Sequence, residues 1–213
     1  MCRKTPVRIT ACLAALLPVI TVVSAQSAAA DRFVANLKPL NADKIGTSAS
    51  GTANLETADG KRSITIDAAG LPPGMMHLQH FHGFADGKAA TCPTAQADTN
   101  GDGFIDLLET ETMAGTTMLP FHDQPASLEI ASDTYPVADK NGAAKYQHTV
   151  LLQDVEKALK EKFESPSLAL SSRVIFVHGV AKDMQLPNSV KSLPGVPAQV
   201  TLPIACGKIE AVK

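Results

Sequence analysis

Three of the six histidines in the chain fall within six residues, His77-Leu78-Gln79-His80-Phe81-His82. In an extended segment successive side chains alternate between faces, so His80 and His82 share one face and His77 points to the other. Neutral imidazoles suit copper or zinc, and two on one strand face need one or two more ligands from elsewhere in the fold. His178 ends the apolar run Val174-Ile175-Phe176-Val177 and is the best third ligand. His122 and His148 are weaker candidates, with His122 the expected fourth ligand. A second constellation, Asp98-Thr99-Asn100-Gly101-Asp102-Gly103-Phe104-Ile105-Asp106-Leu107-Leu108-Glu109, satisfies the twelve-residue EF-hand loop pattern. Ca²⁺ needs six to eight oxygens, which Asp98, Asn100, Asp102, the Phe104 carbonyl, Asp106 (often through water) and bidentate Glu109 can supply, while Gly103 allows the sharp turn. Cys92-Pro93 before the loop leaves room for a helix on the following side only, which argues against a paired calcium sensor that opens a groove.

These residues need elements to position them. With 213 residues, 45% hydrophobic and 19% charged, the chain suits one packed domain rather than a disordered or collagen-like one. No Trp, two Tyr and seven Phe make the core mainly aliphatic. Short alternating or β-branched runs predict strands at 33–37, 51–55, 63–67, 78–84, 127–130, 146–152, 174–180 and 200–209, separated by turn signals such as Asp59-Gly60, Leu71-Pro72-Pro73-Gly74 and Lys140-Asn141-Gly142. Many short strands with Gly/Pro turns imply an all-β antiparallel sandwich or barrel. Helical pattern follows Phe104 and returns at 154–163, where Val155, Leu159 and Phe163 share a face and Glu156/Lys160 and Lys157/Glu161 pair on a solvated one. The second helix reads as a loop insertion.

The N-terminus carries its own signal. Arg3, Lys4 and Arg8 precede an apolar run over 11–23 and small residues ending at Ala30, which predicts a signal peptide over 1–30, an exported (periplasmic or secreted) domain over 31–213, and no membrane anchor after cleavage. Without Arg3, Lys4 and Arg8 the balance is 16 Lys and Arg against 21 Asp and Glu, a net of −5. That charge excludes a general nucleic-acid binder. Cys2 and Cys12 leave with the leader, so Cys92 and Cys206 remain, as one intramolecular disulfide or as two free thiols; an oxidising compartment favours the bond.

Together the segment Gly74-Met75-Met76-His77-Leu78-Gln79-His80-Phe81-His82-Gly83, Cys92 ten residues later, Ala138-Asp139-Lys140-Asn141-Gly142, Val177-His178 and Ile204-Ala205-Cys206-Gly207 resemble the Cu/Zn superoxide dismutase family. The resemblance covers nearly all of 33–209 and implies an eight-stranded Greek-key barrel, copper at His80, His82 and His178, a structural role for His77, a Cys92–Cys206 disulfide, and superoxide as substrate. It departs from the family where zinc ligands would stand, since no His follows Cys92 until His122, so zinc is not expected. Pro203 stands where the family has a substrate-guiding Arg, which leaves attraction of an anion to lysines such as Lys88 or Lys182. The alternative is a non-enzymatic, calcium-stabilised binding or structural module, or a copper-holding protein, on the same fold. No G-x-S-x-G is present to suggest a hydrolase, and the sequence names no protein partner.

Overall fold

The computed structural model describes Met1, residues 31–165 and residues 167–213; apart from Met1, the signal peptide expected over 1–30 lies outside them. The described chain is mostly β. Eight strands, β1 (Asp31–Pro39), β2 (Ser50–Ala58), β3 (Lys61–Ala69), β4 (Gln79–Gly83), β5 (Thr116–Pro120), β6 (Ala144–Leu151), β7 (Val174–His178) and β8 (Pro203–Ala211), form one antiparallel sheet in the order β5-β4-β7-β8-β1-β2-β3-β6. β2 and β3 join through the two-residue turn Asp59-Gly60, both at positive φ (49° and 72°), the geometry that matches the right-handed twist of a hairpin. The sheet curls, so that its edge strands approach at one end. There the ring of Tyr146 of β6 packs at a tilt against Phe121, just past β5, at 5.6 Å between ring centroids, and its Oη donates to the His122 carbonyl at 3.0 Å.

The concave side holds the main core, including Leu55, Ile64, Ile66, Phe81, Met118, Phe121 and Ile175. β4 and β7 are buried on both faces, because the chain between β4 and β5 returns over their outer side. A smaller outer cluster of Ala90, Ala114, Val174, Phe176 and Cys206 fills that interface. Two devices hold the covering segment. Cys92 is bonded to Cys206 of β8, closing a separation of 114 residues. Arg173, fully buried, donates to the carbonyls of Phe84 and Leu168 and to Ser165 Oγ, and it lies so close over Gly83 that any side chain there would collide with its guanidinium. The disulfide fits an oxidising, non-cytoplasmic environment. Among the described residues no helix is long and apolar enough to cross a membrane.

Three segments differ from the sequence reading. The strand expected at 127–130 is absent: Pro125–Ser127 form a 3₁₀ turn, Pro125 brings no amide to a ladder, and Leu128 takes a left-handed conformation (φ 54°). The fifth strand is Thr116–Pro120 instead, a five-residue run at which the sequence signalled no strand. A four-residue helix, α1 (Ala42–Ile45), precedes β2, and the helical pattern after Phe104 forms α2 (Leu107–Ala114), ended by Gly115 at φ 72°. The last strand starts at Pro203 rather than 200, since Ala198–Thr201 form a helical turn. The inserted helix, α3 (Leu152–Phe163), buries Val155 and Leu159 as its periodicity implied, and of the two expected ion pairs Lys157–Glu161 stands at 4.0 Å.

Replacing Cys92 and Cys206 with Ser frees a closed loop of more than a hundred residues. On the chain-entropy account this should lower the unfolding free energy by about 4–5 kcal/mol. Denaturant melts of the oxidised protein and the double variant measure it, and equal midpoints would contradict a bond that holds the cover in place.

Candidate metal centre

The outer face of the β4–β7 pair carries the site. Register sets His80 opposite Phe176 and His82 opposite Val174, so alternation along both strands sends His80, His82, Phe176 and His178 outward while Phe81, Ile175 and Val177 point into the main core. His178, the last residue of β7, is diagonal to His80, and their ring centroids lie 4.6 Å apart. One ring nitrogen from each of His80, His82 and His178 falls within 4.8 Å of the others, and all three residues are at most 3% exposed. Among the described residues no other group of three His, Cys, Asp or Glu gathers so closely.

Carbonyl acceptors assign the ring protons. His82 Nδ1–H donates to the Gly115 carbonyl at 3.2 Å and His178 Nδ1–H to the Thr201 carbonyl at 2.7 Å, which leaves both Nε2 atoms bare in the neutral rings. His82 Nε2 accepts from Thr117 Oγ1 and faces His80 Nδ1, each at 3.0 Å; His178 Nε2 has no hydrogen-bond partner at all. A histidine held by its far N–H on a backbone carbonyl, with its other nitrogen free, is the arrangement that orients a metal ligand. The trio can therefore hold a metal ion. Burial, with mutual repulsion among the rings, pushes His80 well below the usual imidazole value, and burial first, then the His178 charge, pushes His82 down to about 3. Burial takes His178 to about 4, against the opposing pull of the Thr201 carbonyl.

The remaining histidines stand apart. His77, on the opposite face of the segment, spans the carbonyl oxygens of His178 and Pro72, each 2.9 Å from a ring nitrogen, and so braces the end of β7 from behind. His122 donates from Nε2 to the Glu129 carbonyl at 2.7 Å and accepts the Gln124 amide on Nδ1 at 3.0 Å. Both of its nitrogens are thus occupied, and it is not gathered with the trio. His148 lies on β6, stacked against Tyr146.

In the twelve-residue loop, carboxylates turn inward onto backbone amides. Asp98 accepts from Gly101, Asp102 and Gly103, Asn100 from Asp102, and Asp102 from Phe104. Glu109 Oε1 accepts from Thr99 and Asn100 and its Oε2 from Asp106, whose own carboxylate caps α2. Gly103 has φ 85°, the left-handed geometry expected at the sharp turn. Desolvation would raise the Asp102 carboxyl, but hydrogen bonds from Ser189, Phe104 and Asn100 and the charge of Lys44 hold it below its ordinary value. Asn41, which no motif marked, clips the loop by its amide: Nδ2 donates to the Ile105 and Pro203 carbonyls and Oδ1 accepts the Ile105 amide. Sequence reasoning also missed Gly115 and Thr201, which act through carbonyls and so leave no side-chain signature.

Comparison with protein-family models and with curated proteins returns no match to this chain, so the reading of the centre rests on its geometry.

Because the folded imidazoles titrate below the unfolded value of about 6.5, the unfolded chain binds more protons as pH falls. Stability of the chelator-treated protein is therefore fully present above pH 6.5 and should decline from there toward pH 4. Urea melts between pH 7.5 and 5 read the trend, and a midpoint that stays level or rises over that range would show that these rings are not buried neutral.

Proposed function

We propose that the protein is an exported, superoxide dismutase-like metal-binding protein that holds copper at His80, His82 and His178 and calcium in the loop 98–109. The observation that carries the reading is the convergence of three buried imidazoles, two of them oriented by Nδ1–H donation to backbone carbonyls and one, His178, with an unpartnered Nε2. Three imidazoles suit copper, which when bound would supply one-electron exchange between Cu(II) and Cu(I). The strand order supports the Greek-key expectation: β1 to β3 run as a meander, β6 joins β3, β4 sits between β5 and β7, and the free edges β5 and β6 meet through Tyr146. The disulfide joins the two cysteines that the family resemblance paired.

Dismutation of superoxide is the second reading. In its favour, a cavity leads to the trio, so a small molecule can reach it. Against a fast rate, the domain carries a net charge near −5, and the cation lining that cavity, Lys162, already donates to the Leu128 carbonyl. Holding copper without rapid turnover accommodates both observations.

Copper reconstitution of the purified protein should give one ion per chain with a nitrogen-coupled Cu(II) spectrum, and His80→Ala or His178→Ala should weaken binding by at least tenfold, the loss that even indirect ligand partners cause. Adventitious, sub-stoichiometric copper, or unchanged affinity in both variants, would remove the metal reading; tight copper without dismutation would leave a binding module.

For the loop, millimolar calcium against a dissociation constant on the order of 10⁻⁴–10⁻³ M stabilises the fold by about 0.4–1.4 kcal/mol. The Glu109→Gln variant keeps the cap on α2 but loses a bidentate oxygen ligand, so it should melt alike with calcium or excess EGTA, whereas the unaltered protein should melt lower in EGTA. Identical melting of the unaltered protein in both conditions would exclude a structural calcium site.

A further inference from the structure

A cavity of about 270 Å³ opens over the histidine trio. Its inner end is set by the burial of His80, His82 and His178, and its rim by Leu108 and Leu193, which are 47% and 48% exposed and are two of the few large apolar side chains left open on the described surface. Between rim and trio the walls are Leu78, Leu107, Ile130 and Phe163. Polar groups are sparse there and mostly spoken for. Thr117 Oγ1 is bonded to His82, and Lys162 Nζ donates to the Leu128 carbonyl at 2.6 Å and lies 3.8 Å from Glu129, so that its aliphatic stem rather than a free charge meets the cavity. Glu111 adds a negative charge to the lining. Such a passage disfavours a small anion, which would lose its water without gaining a cation.

At the inner end, the unpartnered Nε2 of His178 is a buried polar atom without a hydrogen bond, a costly state unless something else meets it. An apolar passage ending in a few convergent polar groups is the usual form of a small-molecule site, and this volume suits one or two rings rather than a folded chain. Resting on the reading of the trio as a metal centre, we infer that the cavity binds a small neutral molecule with an apolar one- or two-ring body and a single nitrogen or oxygen donor directed at the metal. The apolar body would lie between Leu108 and Leu193 at the mouth and Ile130 and Phe163 deeper in.

The test uses simple probes on two forms of the protein. With copper loaded and its stoichiometry measured, pyridine, 4-phenylpyridine and azide are titrated while the Cu(II) spectrum is followed. Burying one phenyl ring is worth at least tenfold in affinity, so 4-phenylpyridine should bind at least tenfold more tightly than pyridine and more tightly than azide. Leu108→Asp and Leu193→Asp, both at exposed positions and the first in the opening turn of α2 where an acid is tolerated, should shrink that ratio toward one with copper stoichiometry unchanged. Equal binding of pyridine and 4-phenylpyridine, or preference for azide, would overturn the inference. In the chelator-treated protein, toluene should shift the methyl resonances of Leu108, Ile130 and Leu193. Absence of any shift overturns the cavity as a ligand site whatever copper does. Uptake of toluene by a chain that never holds copper supports the apolar site and overturns the metal reading of the trio.

Discussion

Everything at the site depends on one constraint: the β4–β7 pair must be covered on both faces. A strand pair in an antiparallel sheet can leave its outer side to water, and had this one done so, His80, His82 and His178 would be ordinary solvated histidines. Here residues 84–115 return over that side, and Val174 and Phe176 of β7 pack against Ala90 and Ala114 of the cover. The Cys92–Cys206 bond and the donation of Arg173 to the Phe84 carbonyl fasten the cover at separate places. Burial then does two things at once. It suppresses protonation of the rings, keeping lone pairs available to an ion at neutral pH, and it removes the water that would otherwise satisfy His178 Nε2.

Much of this was legible in the sequence because strand periodicity is a strict geometric rule. The step His80 to His82 fixed a shared face, and the position of His178 at the end of an apolar run placed it on a buried neighbouring strand. The Asp59-Gly60 hairpin and the amphipathic α3 were read from equally local signals, whereas the pairing of Cys92 with Cys206 came from the cysteine count, the expected compartment and the family resemblance. What escaped was decided by long-range contact. Thr116–Pro120 becomes a strand because it lies along β4, where Phe81 faces Leu119, although its own composition is short and ambiguous. His122 looked like a ligand by residue type alone; tertiary structure gives both of its nitrogens to backbone partners, and no local pattern announces that. Asn41 is harder still, since its partners lie 64 and 162 residues away.

The character of the cover also bears on selectivity. A wall of leucines, Ile130 and Phe163 that dries the trio also removes the hydrogen-bonding groups an anion would need on its way in. Lys88 and Lys182, which the sequence offered as attracting charges, do not line that cavity; Lys88 sits over the Phe84 ring at 4.9 Å. Desolvation of the imidazoles and exclusion of anions are therefore two consequences of the same packing, and neither can be relaxed without the other.

The last link is Asp106, which joins the loop to the cavity. Its Oδ1 accepts the amides of Leu108 and Glu109, and its Oδ2 accepts the Lys191 amide at 2.6 Å, so one buried carboxylate fixes both chain segments whose leucines, Leu108 and Leu193, form the mouth. A carboxylate engaged by three amides has little capacity left for direct coordination. That agrees with its place at the ninth position of the EF-hand pattern, which often reaches an ion through water. The loop's acidic pattern thus contains two kinds of residue. Asp98, Asn100 and Asp102 satisfy amides within the loop itself, where an ion could exchange for them, whereas Asp106 spans from the loop to a segment 85 residues away and shapes the cavity with or without an ion.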